Sequence, residues 1–134
     1  MNKIFSMLGL IACVVAATTA HASPASDALL AGYKAAGVSK VDAAKAKQDW
    51  AKEVKGEDGT LMSCATCHGT DLSKAGKHNK TSKVIQPMSA KVNAERFTDE
   101  KKIEKWFKRN CKDAWGRECT VQEKADFLTF LIAQ

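Results

Sequence analysis

The chain has 134 residues, 21 of them Lys or Arg and 15 Asp or Glu, for a formal net charge of +6. With 45% apolar and 27% charged residues it has the composition of one small folded domain, which excludes a disordered tail, a multi-span membrane protein and a two-domain enzyme with a cleft between its halves. Basic and acidic residues are interleaved along the chain, which favours an acidic docking partner over nucleic acid.

Residues 1–22 read as a secretory signal. Asn2-Lys3 gives a positive start, Ile4 to Ala17 is almost uninterruptedly apolar, and Ala20-His21-Ala22 offers small residues for cleavage before Ser23. The apolar run falls short of the roughly 20 residues that span a bilayer, which argues against a membrane anchor. Leu10-Ile11-Ala12-Cys13 resembles a lipoprotein-processing site, but processing at Cys13 would leave an unusually short apolar region. Cleavage after Ala22, a periplasmic location and a mature domain over 23–134 are the expectation. Lys3, Cys13 and His21 then leave with the signal, so four of the five cysteines and two of the three histidines remain.

Ser23-Pro24 opens a short helix that carries Leu29, Leu30 and Tyr33 and stops at Gly37. A second helix, over Val41 to Lys55, spaces Ala43, Ala46, Trp50 and Val54 by three and four residues before Gly56 and Gly59 break it. Cys64-Ala65-Thr66-Cys67-His68 follows, the attachment pattern of a c-type haem. Two thiols three positions apart on one helical turn can each add across a haem vinyl group, and that geometry puts His68 beneath the iron as proximal ligand. A thioredoxin-like pair would need a βαβ setting that this chain lacks, and a zinc site a second Cys/His pair at suitable spacing. In so small a domain one covalent haem c becomes part of the core.

From Gly69 to Arg96 no period is sustained, and Gly76, Pro87 and scattered Lys and Ser predict a loop around the haem edge. Thr98 can cap a third helix with Asp99 and Glu100 in its first turn, and the apolar stripe Ile103, Trp106, Phe107 leads on to Asn110. Thr120-Val121-Gln122-Glu123 matches a capping box, opening a last helix with Ala125, Leu128, Leu131 and Ile132 on one face. No strand pattern or internal repeat is visible. The sum is an all-α, small class I type cytochrome c fold packed around one haem, in which the helix before the motif crosses the last one.

Function turns on the residue opposite His68, because a His/Met iron is closed and a weak or absent sixth ligand leaves it open. Met62 lies too close to Cys64 to reach the far face. Met88 and Pro87 read first as haem-wall residues, with the Pro87 carbonyl orienting His68; Trp106 is a further wall candidate. Met88 as ligand would instead make a simple electron carrier. His78, among Lys77, Asn79 and Lys80, reads as a surface residue whose removal is nearly silent. Asn110 lies where small class I cytochromes present their distal Met, although a buried Asn satisfied by backbone groups, or one capping the helix end, fits the same pattern. A bridge between Cys111 and Cys119 would close a short ring directly after Asn110, worth roughly 2 to 3 kcal/mol. Lys74, Lys77, Lys80 and Lys83 recur every three residues and could ring an exposed haem edge, or be ordinary solvated loop lysines.

Thr81 through Pro87-Met88, Arg96-Phe97-Thr98-Asp99, Glu104-Lys105-Trp106, Arg109-Asn110-Cys111, Gly116-Arg117-Glu118-Cys119-Thr120 and Glu123-Lys124-Ala125-Asp126 resemble the sphaeroides haem protein family of monohaem cytochromes c. The likeness runs from about Leu29 to Leu131. It implies His68/Asn110 ligation and a Cys111–Cys119 disulfide. It implies further that Asn110 leaves the iron on reduction, that the ferrous haem then binds a diatomic gas (O2, NO or CO), and that a dihaem or other c-type cytochrome is the electron donor. An amide is a weak, hard donor better suited to ferric than to ferrous iron. Ser82 departs from the family's Thr-Gly-Lys. No protein nucleophile or acid/base pair is visible, so an oxidase-like, peroxidase or NO-processing activity would rest on haem chemistry alone. A monomer without a membrane span in its mature part is expected.

Overall fold

The computed structural model describes residues 22–56 and 58–134; the expected signal, Cys13 included, lies outside them except for Ala22. Among the described residues the fold has five helices and two minimal hairpins. α1 (Pro24–Ala35) starts where Ser23 and Ser26 form a capping box, and the Ser23 hydroxyl also donates to the carbonyl of Phe97, tying the first helix to a distant turn. α2 (Ala43–Ala51) is capped by Asp42, whose own N–H donates to the buried carboxylate of Asp126 at 2.7 Å. α3 (Cys64–His68) is the attachment motif itself. α4 (Glu100–Trp115) ends at Gly116, whose left-handed φ of 68° closes the helix on the Lys112 carbonyl. α5 (Val121–Ile132) opens on the expected Thr120/Glu123 capping box.

α5 is the centre of the molecule: Leu128 has no exposed surface, and α2 and α1 pack across it. The helix preceding the haem motif thus lies against the C-terminal one, as a helical cytochrome c requires. Tyr33 of α1 donates to Glu104 of α4, and Lys124 of α5 reaches the same carboxylate at 2.6 Å, joining three helices at one partly buried acid. Among the described residues no helix is long and apolar enough to cross a membrane.

Three expectations are corrected. The second helix ends at Ala51, not Lys55, because Val54–Lys55 (β1) leaves it to pair antiparallel with Leu61–Met62 (β2). Gly76–Lys77 (β3) and Val84–Ile85 (β4) form a second hairpin inside the stretch expected to be all loop. The cap of α4 is Asp99, whose carboxylate accepts from the Lys102 N–H at 3.0 Å, while the Thr98 hydroxyl turns back to the Glu95 carbonyl.

Candidate haem site

The proximal half is assembled around α3. Ser63 and Thr66 cap one another reciprocally, at 2.9 and 3.2 Å, which starts a helix only five residues long and sets Cys64, Cys67 and His68 on it. Gly76 of β3 lies directly against this turn: a Cβ there would stand 2.2 Å from the Cys67 carbonyl oxygen and 3.0 Å from the His68 Cα, so no larger residue fits. From the other side Trp50 of α2 donates its indole N–H to the Gly69 carbonyl at 2.8 Å, with its ring 5.5 Å from that of His68. Phe127 and Phe130 of α5 back Trp50 at 6.3 and 6.0 Å.

Cys64 and Cys67 are both free, half-buried thiols. Burial pushes the Cys64 thiol up to about 12. Burial, followed by the positive charge of Arg96, holds the His68 imidazole down at about 4, so the ring is neutral at ordinary pH, the form in which a nitrogen lone pair can meet a metal. His68 Nδ1 is buried and has no hydrogen-bond partner among the described residues. The Pro87 carbonyl therefore does not orient it; that oxygen accepts from Asn93 Nδ2 at 3.2 Å and Arg96 Nε at 2.8 Å, while a second Arg96 nitrogen donates to the Gln86 carbonyl. Two thiols outside any disulfide on one turn and a neutral, orphaned imidazole beside them suit a covalently attached haem.

Asn110 lies inside α4, five residues short of the last, so it is not a helix-end cap. It is half-buried, and its amide makes no hydrogen bond to another described residue. The next residue is fixed: Cys111 and Cys119, both buried, are joined, with Cα atoms 5.6 Å apart. Arg117 inside that ring makes a two-pronged contact with Glu123 at 2.8 and 2.7 Å, and Glu123 also accepts from the Thr120 N–H, stitching the ring to the start of α5.

Other residues singled out in the sequence fall differently. The inner stripe of α4 is Ile103, Cys111 and Ala114, all buried, with Phe107 half-buried against the core; Trp106 is 47% exposed on the outer edge, flanked by Lys105 and Arg109. Met88 packs against the core with its N–H on the Leu72 carbonyl at 3.0 Å, beside the chain leaving His68, and Pro87 is half-buried next to it. Met62 is buried and its sulfur accepts from Asn79. His78 is half-buried, and its Nδ1 accepts from the Lys80 and Thr81 N–H groups at 3.3 and 3.2 Å, so it braces the β3–β4 turn and is more than a surface ornament. Gly76, Trp50 and Arg96 were legible only as a breaker, a core residue and a basic residue; their contacts join segments distant in sequence.

A family model described as a domain of unknown function (DUF1924) matches residues 36–131. The cytochrome c-type protein SHP of Cereibacter sphaeroides is 41% identical over 93% of this chain and 97% of its own length. The chain belongs to the SHP family of c-type cytochromes. The structure of oxidized SHP, an oxygen-binding cytochrome c, superposes with a TM-score of 0.74 over 81% of this chain and 96% of that one, at 41% identity. Cytochrome c'' of Methylophilus methylotrophus is 36% identical over 62% of this chain and 58% of its own length; its oxidized crystal structure, at 30% identity over 81% of this chain and 94% of that one, gives a TM-score of 0.71. A solution structure of cytochrome c'' bearing on haem-ligand detachment gives the same TM-score and identity, over 93% of that chain. As a member of this family the protein is a monohaem cytochrome c with covalently bound haem c.

Proposed function

We propose that the protein is an exported, periplasmic electron-transfer cytochrome c in which Cys64 and Cys67 hold the haem, His68 is the proximal ligand, and Asn110 is a distal ligand that lets go on reduction and admits a diatomic gas. The observation that carries this reading is the state of Asn110: half-buried, within a helix, with an amide bonded to no other described residue, and next to a disulfide-tethered Cys111. No protein hydrogen bond competes for the lone pair of this amide oxygen, so it is available to an external acceptor. When bound, the haem supplies the one-electron change and the site where the gas is held.

The residues divide the work. His68 stays in place because Trp50 and Gly76 hold the turn that carries it. Asn110 can leave because an amide oxygen is a weak donor and no protein group has to be broken to release it. The disulfide keeps the backbone beside Asn110 in register, so the amide returns on reoxidation. Oxygen binding by SHP and the ligand detachment addressed in cytochrome c'' support the same behaviour here. Gas binding, not turnover, is proposed, with a c-type cytochrome as donor.

The test is the absorption spectrum of the dithionite-reduced holoprotein before and after carbon monoxide. Immediate binding by wild type is expected, and Asn110→Ala should already accept imidazole in the oxidised state. A six-coordinate ferrous spectrum indifferent to the gas would overturn the reading, and a far-red sulfur-to-iron band lost in Met88→Ala would replace Asn110 with Met88.

A further inference from the structure

The lysine row of the β3–β4 region is less available than its spacing suggests. Lys74 pairs with Asp71 at 3.3 Å and Lys80 with Asp58 at 2.7 Å, so two of its four cations already have a carboxylate beside them that offsets their charge in part. The outer side of α4 differs. Lys101, Lys105 and Arg109 follow one another at four-residue steps and so form one stripe, and none of the three makes an ion pair with a described residue. Lys105 and Arg109 instead stand over Trp106, at 6.0 and 5.7 Å from its ring centre. Of the acids on this helix, Glu104 turns inward to Tyr33 and Lys124, leaving Glu100 and Asp113 at the two ends.

We propose that this face, centred on Trp106 with Lys101, Lys105 and Arg109 around it, is the docking surface for an acidic redox protein that delivers the electron. An exposed indole among unpaired cations combines an apolar anchor with charges that steer a negative surface, the make-up of a transient interface with a polar rim. Trp106 precedes Asn110 by one helical turn, so a partner seated there stands beside the wall carrying the candidate distal residue. One electron passes from partner to haem, and no bond or proton is exchanged at the surface. The proposal rests on the electron-transfer reading above, and holds whether or not Asn110 is the distal ligand.

The experiment is stopped-flow reduction of the oxidised holoprotein by a reduced, acidic plant-type ferredoxin at low ionic strength. The variants are Lys105→Glu/Arg109→Glu and, with the same change in charge, Lys77→Glu/Lys83→Glu. The α4 pair should lower the second-order rate about tenfold and the loop pair less than about threefold, with the difference fading at high salt. Equal losses, or a larger loss from the loop pair, would overturn the proposal. So would normal reduction of either variant by ferredoxin together with lost sedimentation on phosphatidylserine vesicles, which would assign the face to a membrane. Dithionite reduction and carbon monoxide binding in the same samples separate the two readings: if they fail in wild type, the electron-transfer reading has failed; if they are normal and the ferredoxin rates do not split, only the docking surface has.

Discussion

The turn that carries His68 and the turn that carries Asn110 are held in opposite ways. The turn of His68 is held from several directions: a capping box beneath, a glycine contact from β3, an indole donor from α2, and two phenylalanines behind that indole. Around Asn110 the backbone is tethered one residue away and the side chain itself is bonded to no other described residue. In the proposed function His68 is the fixed ligand, served by the first arrangement, and Asn110 the releasable one, served by the second. On the proposed ligation, the contrast teaches that lability can be built by stiffening the chain next to a ligand while leaving the ligand alone.

The contrast breaks hardest on the His68 side. In Gly76→Ala the added Cβ would collide with the Cys67 carbonyl, and both neighbours are backbone that cannot swing aside. A loss of ~3 kcal/mol is expected, read as a fall in melting temperature and in the yield of haem-loaded protein. A melting temperature within a degree or two of wild type would show that β3 does not hold this turn.

On the Asn110 side, Cys111→Ser/Cys119→Ser should cost roughly 2 to 3 kcal/mol through the freed ring, measured by denaturant unfolding of the holoprotein. It should also slow or blur recovery of the oxidised spectrum after reoxidation, because Asn110 has lost its register. An unchanged recovery alongside lowered stability would reduce the disulfide to a plain staple.

Acid should loosen the same side first. The Arg117 guanidinium holds the Glu123 carboxyl at about 2, below its ordinary 4.5, and at Glu104 the Lys124 ammonium and the Tyr33 hydroxyl outweigh burial to pull the carboxyl down. A carboxyl depressed by folding contributes stability above its unfolded value and loses it as pH falls toward the folded one. For Glu123 the window runs from about pH 4.5 down to about 2, and its partial exposure limits the effect to on the order of 1 kcal/mol. Arg117→Gln should flatten this part of the stability profile; an unaltered acid limb would place the sensitivity elsewhere.

What could be read in advance follows from where the information lies. α1, α4 and α5 announce themselves through caps and a three-to-four residue period, and the attachment motif through its spacing. Two-residue strands have no period, and Val54 fits both a helix face and a strand, so the sequence pattern of α2 continues to Lys55 although the helix ends at Ala51. Trp106 entered the apolar stripe because it is apolar, yet Ile103, Phe107 and Ala114 fill the inner face and leave the indole outside. Asn110 was open to a capping role until the helix proved to continue to Trp115. The Pro87 carbonyl is claimed by Asn93 and Arg96, and Lys80 by Asp58, pairings that spacing alone does not encode.

The smallest effect concerns Ser82, where the resemblance led one to expect glycine. Its φ is 57°, in the left-handed region that costs a side-chain-bearing residue on the order of 1 kcal/mol, and the turn is held by its N–H on the His78 carbonyl at 2.9 Å. Ser82→Gly removes that strain but gives the unfolded chain more freedom, so a net gain of about 0.5 kcal/mol is expected. Since β3 of this hairpin bears on the His68 turn, the gain should appear in the melting temperature and leave carbon monoxide binding unchanged. A change in gas binding would mean that the two sides of the haem are mechanically coupled, and that the separation between a fixed and a releasable ligand is less complete than their contacts suggest.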